Sequence, residues 1–270
     1  QGVDDGAKSG TYYWKGIPFA QAPAGALRWK APVAPTAWKD TLQASQFGAS
    51  CIQNPRMYSP GNANTFDASV GDNILSGHTP GSEDCLSLNI WRPATKEKNL
   101  PVIVFIYGGS NITGYSADPL YDGAALAKKA NAVVVSANYR LGQLGFFRHP
   151  ALRDTAVDPT LTPEDQSGNF AVLDIIAALK FVQGNIEHFG GNKANVTLAG
   201  QSAGAINVLA VLTTPGNRAA GLFHRLAPLS GGISVATSPG FPQPANNLQG
   251  NNGTIPALNP VATYEALSNM

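Results

Sequence analysis

Apolar and polar positions change rhythm several times along the chain. Leu86-Ser87-Leu88-Asn89-Ile90-Trp91 alternates, which predicts a strand. Pro101 to Tyr107 is a continuous apolar run, the pattern of a strand buried on both faces, and Ala132 to Ser136 predicts a second. Gly123 to Ala130 reads as a helix between them. From Asn169 to about His188, Val172, Ile176, Leu179, Val182 and Ile186 recur at helical spacing, and Gly190-Gly191 supplies a C-terminal stop. Asn195 to Ala199 is predicted as a strand, Ala203 to Leu212 as a helix, and Leu226 to Leu229 as a short last strand. Alternating strands and helices predict an α/β fold with a central, mostly parallel sheet flanked by helices.

Other stretches lack period. Residues 1–30 read as short strands and turns. Residues 31–82, rich in Pro, Asn, Ser and Gly, read as a long surface excursion, and 147–167 as a loop. About 232–260 is a polar Pro/Gly/Asn linker, followed by a short helical stretch from Val261 to Asn269. There are no internal repeats.

Composition narrows the function. The 270 residues carry a net charge of +1, which gives no electrostatic case for nucleic acid or an anionic membrane. No apolar run approaches a membrane span. Charged residues make up 13%, about half the usual quarter, so the surface is weakly charged. The chain begins at Gln1, which reads as a removed leader or a fragment. Cys51 and Cys85 lack CxxC spacing; on composition they are either one structural disulfide or two buried thiols. His and Cys show no metal-ligand cluster, and no metal or organic cofactor is expected.

Two segments carry chemistry. Gly200-Gln201-Ser202-Ala203-Gly204 sits where a β-branched strand gives way to a helix of small residues. Such a turn lifts the serine hydroxyl out of the sheet in a strained conformation and needs small residues two before and two after it. Ser202 is the candidate nucleophile; the alternative is a tight turn that needs glycine for packing alone. Tyr107-Gly108-Gly109-Ser110-Asn111 follows a buried strand, and its glycines let backbone N–H groups approach a ligand closely. Alone, it is an ordinary glycine-rich turn.

Beyond these, the chain from about Trp14 to Gly232 resembles the type-B carboxylesterases, the cholinesterase-like branch of the α/β-hydrolases. The similarity rests on Gly16-Ile17-Pro18-Phe19-Ala20 with Pro23, Gly25, Leu27-Arg28-Trp29 and Pro32; on Ser82 to Asn89; on Asn138-Tyr139-Arg140-Leu141-Gly142 with Leu144-Gly145-Phe146; and on Gly168-Asn169, Leu173-Asp174, Asn185-Ile186 and Phe189-Gly190-Gly191. The resemblance implies the N-terminal part of one α/β-hydrolase catalytic domain. It implies Ser202 as nucleophile, an oxyanion hole from the N–H groups of Gly109, Ser110 and Ala203, and Gly108 shaping the loop. It also implies a Cys51–Cys85 disulfide and two buried structural ion pairs, Arg28 with Glu83 and Arg140 with Asp174. Where the family has a third glycine and then an aromatic, this chain has Ser110 and Asn111. Gln201 stands where Glu is common, which removes a negative charge and argues against a choline-like cationic substrate. Ala171 and Ile175 replace a common glycine and glutamine and read as packing changes.

A serine needs a base, and the base needs an orienting acid. In this fold they follow the serine as acid, then histidine. After Ser202 stand only His224 and then Glu265, in the wrong order, and His224 reads as a helix-surface residue. His78, His149 and His188 precede the serine. The expectation is therefore a chain cleaved near Met270 and completed by a non-covalently held C-terminal chain that supplies acid and histidine. The expected function is a secreted or periplasmic serine ester hydrolase of small-molecule esters working through an acyl-enzyme. The alternatives are a non-catalytic, neuroligin-like binding module, an inactive fragment, or an amidase or thioesterase. Asn-x-Ser/Thr sequences at Asn111 and Asn195 fall at the glycine loop and in a predicted buried strand; Asn252, in the polar tail, is the candidate glycan site.

Overall fold

A computed structural model describes residues 1–53 and 80–232. The linker at 232–260 beyond its first residue, the Val261–Asn269 helix, His78, Asn252 and Glu265 lie outside the described residues, as does much of the 31–82 excursion. The strands are β1 (Val3–Asp5), β2 (Thr11–Pro18), β3 (Ser87–Pro93), β4 (Leu100–Ile106), β5 (Val133–Ala137), β6 (Gly191–Gln201) and β7 (Arg225–Leu229). The helices are α1 (Ala124–Ala130), α2 (Gly142–Gly145), α3 (Phe170–Asn185) and α4 (Ala203–Leu212). One sheet takes the order β1-β2-β3-β5-β4-β6-β7. The β5-β4-β6-β7 half is parallel, while β1, β2 and β3 join it through antiparallel pairings. The sheet is thus mixed: its parallel half comes from the βα rhythm, and its antiparallel half from the N-terminal strands.

Burial follows position in the sheet. β5 lies between β3 and β4 and is buried along its whole length. β4 alternates: Val102, Val104 and Ile106 are sealed, whereas Ile103 and Phe105 are half-buried. Two-sided burial of β4 is therefore incomplete among the described residues. Ile175, Leu179, Val182 and Ile186 from the α3 segment seal one face of the core. The helical stretch closes where its period predicts, but its last turn tightens into a 3₁₀ turn, Ile186–Phe189. Gly190, at φ 80°, ends it, its N–H donating to Glu187 O at 3.0 Å.

Cys51 and Cys85 form a disulfide that spans 34 residues of sequence. Closing a loop of that size stabilises by about 3–4 kcal/mol in the chain-entropy account. Asp174, in the second turn of α3, binds Arg140 twice, Arg140 Nε donating to Oδ2 at 2.8 Å and Nη2 to Oδ1 at 2.7 Å, with both side chains buried. The expected second buried pair is different. Arg28 binds Glu83 through two hydrogen bonds, but its side chain is 42% exposed, because the Gly25–Leu27 turn carries it to the surface. Arg28 hydrogen-bonds the Glu83 carboxylate and so holds it below the usual carboxylate range.

Candidate active site

β6 ends at Gln201, α4 begins at Ala203, and Ser202 forms the corner between them at φ 55°, ψ −121°. A non-glycine residue adopts that conformation only when its surroundings hold it there. Those holds are visible. The Ser202 N–H donates to Leu229 O on β7 at 2.8 Å, and Ser202 O accepts from Ile206 N–H at 3.1 Å in the first turn of α4. The two flanking glycines are packing requirements. A Cβ on Gly200 would stand 2.4 Å from Gly204 O, and one on Gly204 would stand 2.1 Å from Ile106 O, at the end of β4. The turn is therefore compressed between its own first helical turn and the neighbouring strand.

The glycine loop meets this corner. A Cβ on Gly108 would lie 2.7 Å from Gln201 O, 2.8 Å from Gln201 Oε1 and 3.0 Å from Ser202 Cβ. Gly108 is thus the point where the loop touches the serine, and the Gln201 side chain shares the contact. Gly109, Ser110 and Asn111 follow with φ values of 109°, 56° and 60°. The N–H groups of Ile112 and Thr113 both close back on Gly109 O at 3.1 Å. Among the described residues, the amides of Gly109, Ser110 and Ala203 have no hydrogen-bond acceptor. Three unpaired donors therefore lie on two segments that meet at Gly108 and Ser202.

Two supports of this loop were not singled out by sequence reasoning. Gln53, buried two residues after Cys51, accepts through Oε1 from Thr113 Oγ1 and Gly114 N–H, each at 2.8 Å. Its Nε2 donates to Cys51 O at 3.0 Å and Gly114 O at 3.1 Å. Asn207, on α4, exchanges side-chain hydrogen bonds with Asn111. Gln53 gave no signal, since it lies in an aperiodic stretch. Asn207 did give one: it is the only side chain in Ala203–Leu212 with a hydrogen-bonding group. Beneath the loop, Tyr139 Oη donates to Tyr107 O at 2.8 Å. Burial pushes both phenols well above their ordinary range, so they remain neutral donors.

The described histidines fall elsewhere. His224 is not on a helix; it precedes β7, where its N–H donates to Val196 O and its Nδ1 accepts from Val196 N–H at 3.2 Å. Val196 is roughly 20 Å back along β6 from Ser202, at the usual rise per residue. The register of β7 on β6 thus removes His224 from the serine. His188 lies in the 3₁₀ turn at the opposite end of β6, and His149 stacks on Phe147. Asn195 lies on β6 with its Oδ1 bound by Arg225. Among the described residues no group of three or more His, Cys, Asp or Glu is placed to hold a metal, and no helix is long and apolar enough to cross a membrane.

A mixed, helix-flanked sheet with a serine at a strained strand-to-helix corner defines the α/β-hydrolase class. Within it the chain belongs to the carboxylesterase family, whose sequence model matches residues 1–249. It is 39% identical to the fumonisin B1 esterase of Sphingopyxis macrogoltabida over 92% of this chain and 40% of that protein. It is 40% identical to the cholinesterase of Mus musculus over 86% of this chain and 35% of that protein. A thermophilic PNB esterase structure superposes with a TM-score of 0.69 at 30% identity, covering all of this chain and 53% of that one. The chain thus spans well under half the length of these curated relatives.

Proposed function

We propose that this chain carries the nucleophile and the oxyanion hole of a serine carboxylic ester hydrolase. The observation that carries the reading is the contact of Gly108 with Ser202, which brings the amides of Gly109 and Ser110, unpaired among the described residues, beside the corner that Ala203 shares. Ser202 Oγ attacks the ester carbonyl as its proton passes to a base. The carbonyl oxygen becomes an oxyanion, and the three N–H groups, with the first turn of α4 behind them, stabilise it. The C–O bond to the alcohol breaks, the alcohol leaves with the proton, and an acyl-serine remains. Water, deprotonated by the same base, attacks that ester and releases the acid.

The base and its acid lie, in this reading, in polypeptide outside these 270 residues, on a C-terminal chain of the same precursor. His224 is anchored to Val196 through Nδ1, and both cysteines are paired with each other, so the second chain is held non-covalently. β7, an edge strand among the described residues with Leu229 51% exposed, offers it a place to continue the sheet. The disulfide supports a secreted or periplasmic location. Gln201 and Asn111 make the surroundings polar and uncharged, which favours neutral esters.

The test is turnover of p-nitrophenyl acetate by the complete protein and by Ser202→Ala, with native mass spectrometry of the active sample. The expected result is hydrolysis by the parent, a loss of at least about 10³-fold in the variant, and a second polypeptide in the active particle. Equal rates for parent and variant would overturn the nucleophile. Activity in a particle containing only this chain would overturn the completion.

A further inference from the structure

Gly109, Ser110 and Asn111 form an unbroken run of left-handed backbone, and two of the three carry side chains. Such a run does not hold itself, because non-glycine residues favour other conformations. Its far end is fixed by Asn111. The Asn111 carbonyl accepts from Gly142 N–H at 2.7 Å. Its Oδ1 accepts from Asn207 Nδ2 at 2.7 Å, and its Nδ2 donates to Asn207 Oδ1 at 3.4 Å. Asn207 is 2% exposed and lies one turn along α4 from Ala203.

The two halves of the oxyanion hole belong to different elements. Gly109 and Ser110 are on the loop, and Ala203 is the first residue of α4. The Asn111–Asn207 amide pair is a direct side-chain bond between those elements. We propose that this pair sets the position of the Ser110 amide relative to the Ala203 amide, making Asn111 and Asn207 positioning residues for the oxyanion. The inference rests on the esterase reading above. Two neutral amides suit this role because they form a two-point contact without placing a charge near a developing anion. A carboxylate at either position keeps one hydrogen bond and adds repulsion toward the oxyanion.

The experiment is a double-mutant cycle in the complete protein with Asn111→Gly, which keeps the left-handed backbone, and Asn207→Ala. kcat and KM are read on p-nitrophenyl acetate, with thermal unfolding alongside. Each single change is expected to lower kcat roughly 10- to 100-fold with KM changed by less than about threefold, since misplaced donors weaken the transition state alone. The double variant is expected to be no slower than about the slower single, because both remove one contact. In Asn207→Asp, kcat is expected to fall further as pH rises through the carboxylate's titration. Unchanged kcat in the singles, or losses that multiply in the double, would overturn the inference. If Asn207→Ala does not fold, Asn111→Gly, on a partly exposed loop, decides by its kcat alone. An inactive parent protein would instead sink the esterase reading itself.

Discussion

Arg28 and Arg140 each grip a carboxylate with two hydrogen bonds, yet the chain treats them differently. Asp174 accepts from the Arg140 backbone N–H as well as its side chain, and Arg140 Nη1 also binds Lys30 O at 3.0 Å. Removing Arg140 leaves a carboxylate with no access to water. Arg140→Met is therefore expected to destabilise by about 3–5 kcal/mol, measured by urea unfolding. Arg28→Met is expected to shift the midpoint much less, because water reaches the exposed guanidinium and screens the pair. Equal shifts would contradict this assignment. Both pairs were implied by the family resemblance, but burial was not legible: nothing in Leu27-Arg28-Trp29 says that the preceding turn lifts the arginine to the surface. The strand-to-helix corner at Ser202 was legible because it imposes small residues at fixed offsets, and Gly200 and Gly204 meet that demand within contact distance.

At the scale of elements, periodic segments were readable and the supports between them were not. α4 spans the residues its apolar run predicted, and β5 and the α3 segment differ from expectation by a residue or two and a tightened last turn. β6 is longer than its β-branched centre, beginning at Gly191, because pairing with β4 extends a strand beyond its apolar residues. The glycine loop is the sharper case. It is held at Thr113 and Gly114 by Gln53, a residue of an aperiodic stretch that the disulfide and an isolated bridge to Ser82 bring alongside. Gln53→Ala would leave Gly114 N–H and Thr113 Oγ1 without that acceptor in a buried turn. The expected outcome is a loss of about 1–3 kcal/mol in stability with a lower kcat on a neutral ester and a nearly unchanged KM. A kcat equal to the parent's would show that the loop keeps its shape without this support.

Across the whole molecule, the fold separates the chemistry into pieces that the chain brings together unevenly. The parallel half of the sheet ends its strands where β4 leads into the glycine loop and β6 leads into Ser202, so the candidate nucleophile and the candidate donors share one edge. This arrangement follows from parallel strand order, with functional turns at the carboxyl ends of the strands. The antiparallel N-terminal strands contribute no group to that edge; their role is to extend the sheet and, through the segment to Cys51, to brace the loop. The described histidines are led elsewhere by the same geometry, with His224 fixed on Val196 by the register of β7. The mixed character of the sheet was hidden in the sequence, since strand direction depends on which strands become neighbours.

Ser202 is proposed as an activated nucleophile. The most direct measurement is covalent labelling of the complete protein with a fluorophosphonate, followed by peptide mass mapping. A serine with a base and an oxyanion hole attacks the phosphorus: its proton passes to the base, fluoride leaves the reagent, and a phosphonyl-serine remains. One adduct is expected, on the peptide carrying Gly200-Gln201-Ser202-Ala203-Gly204, and it is expected to be lost in Ser202→Ala. An adduct on another residue, or no adduct on a folded, complete protein, would contradict it.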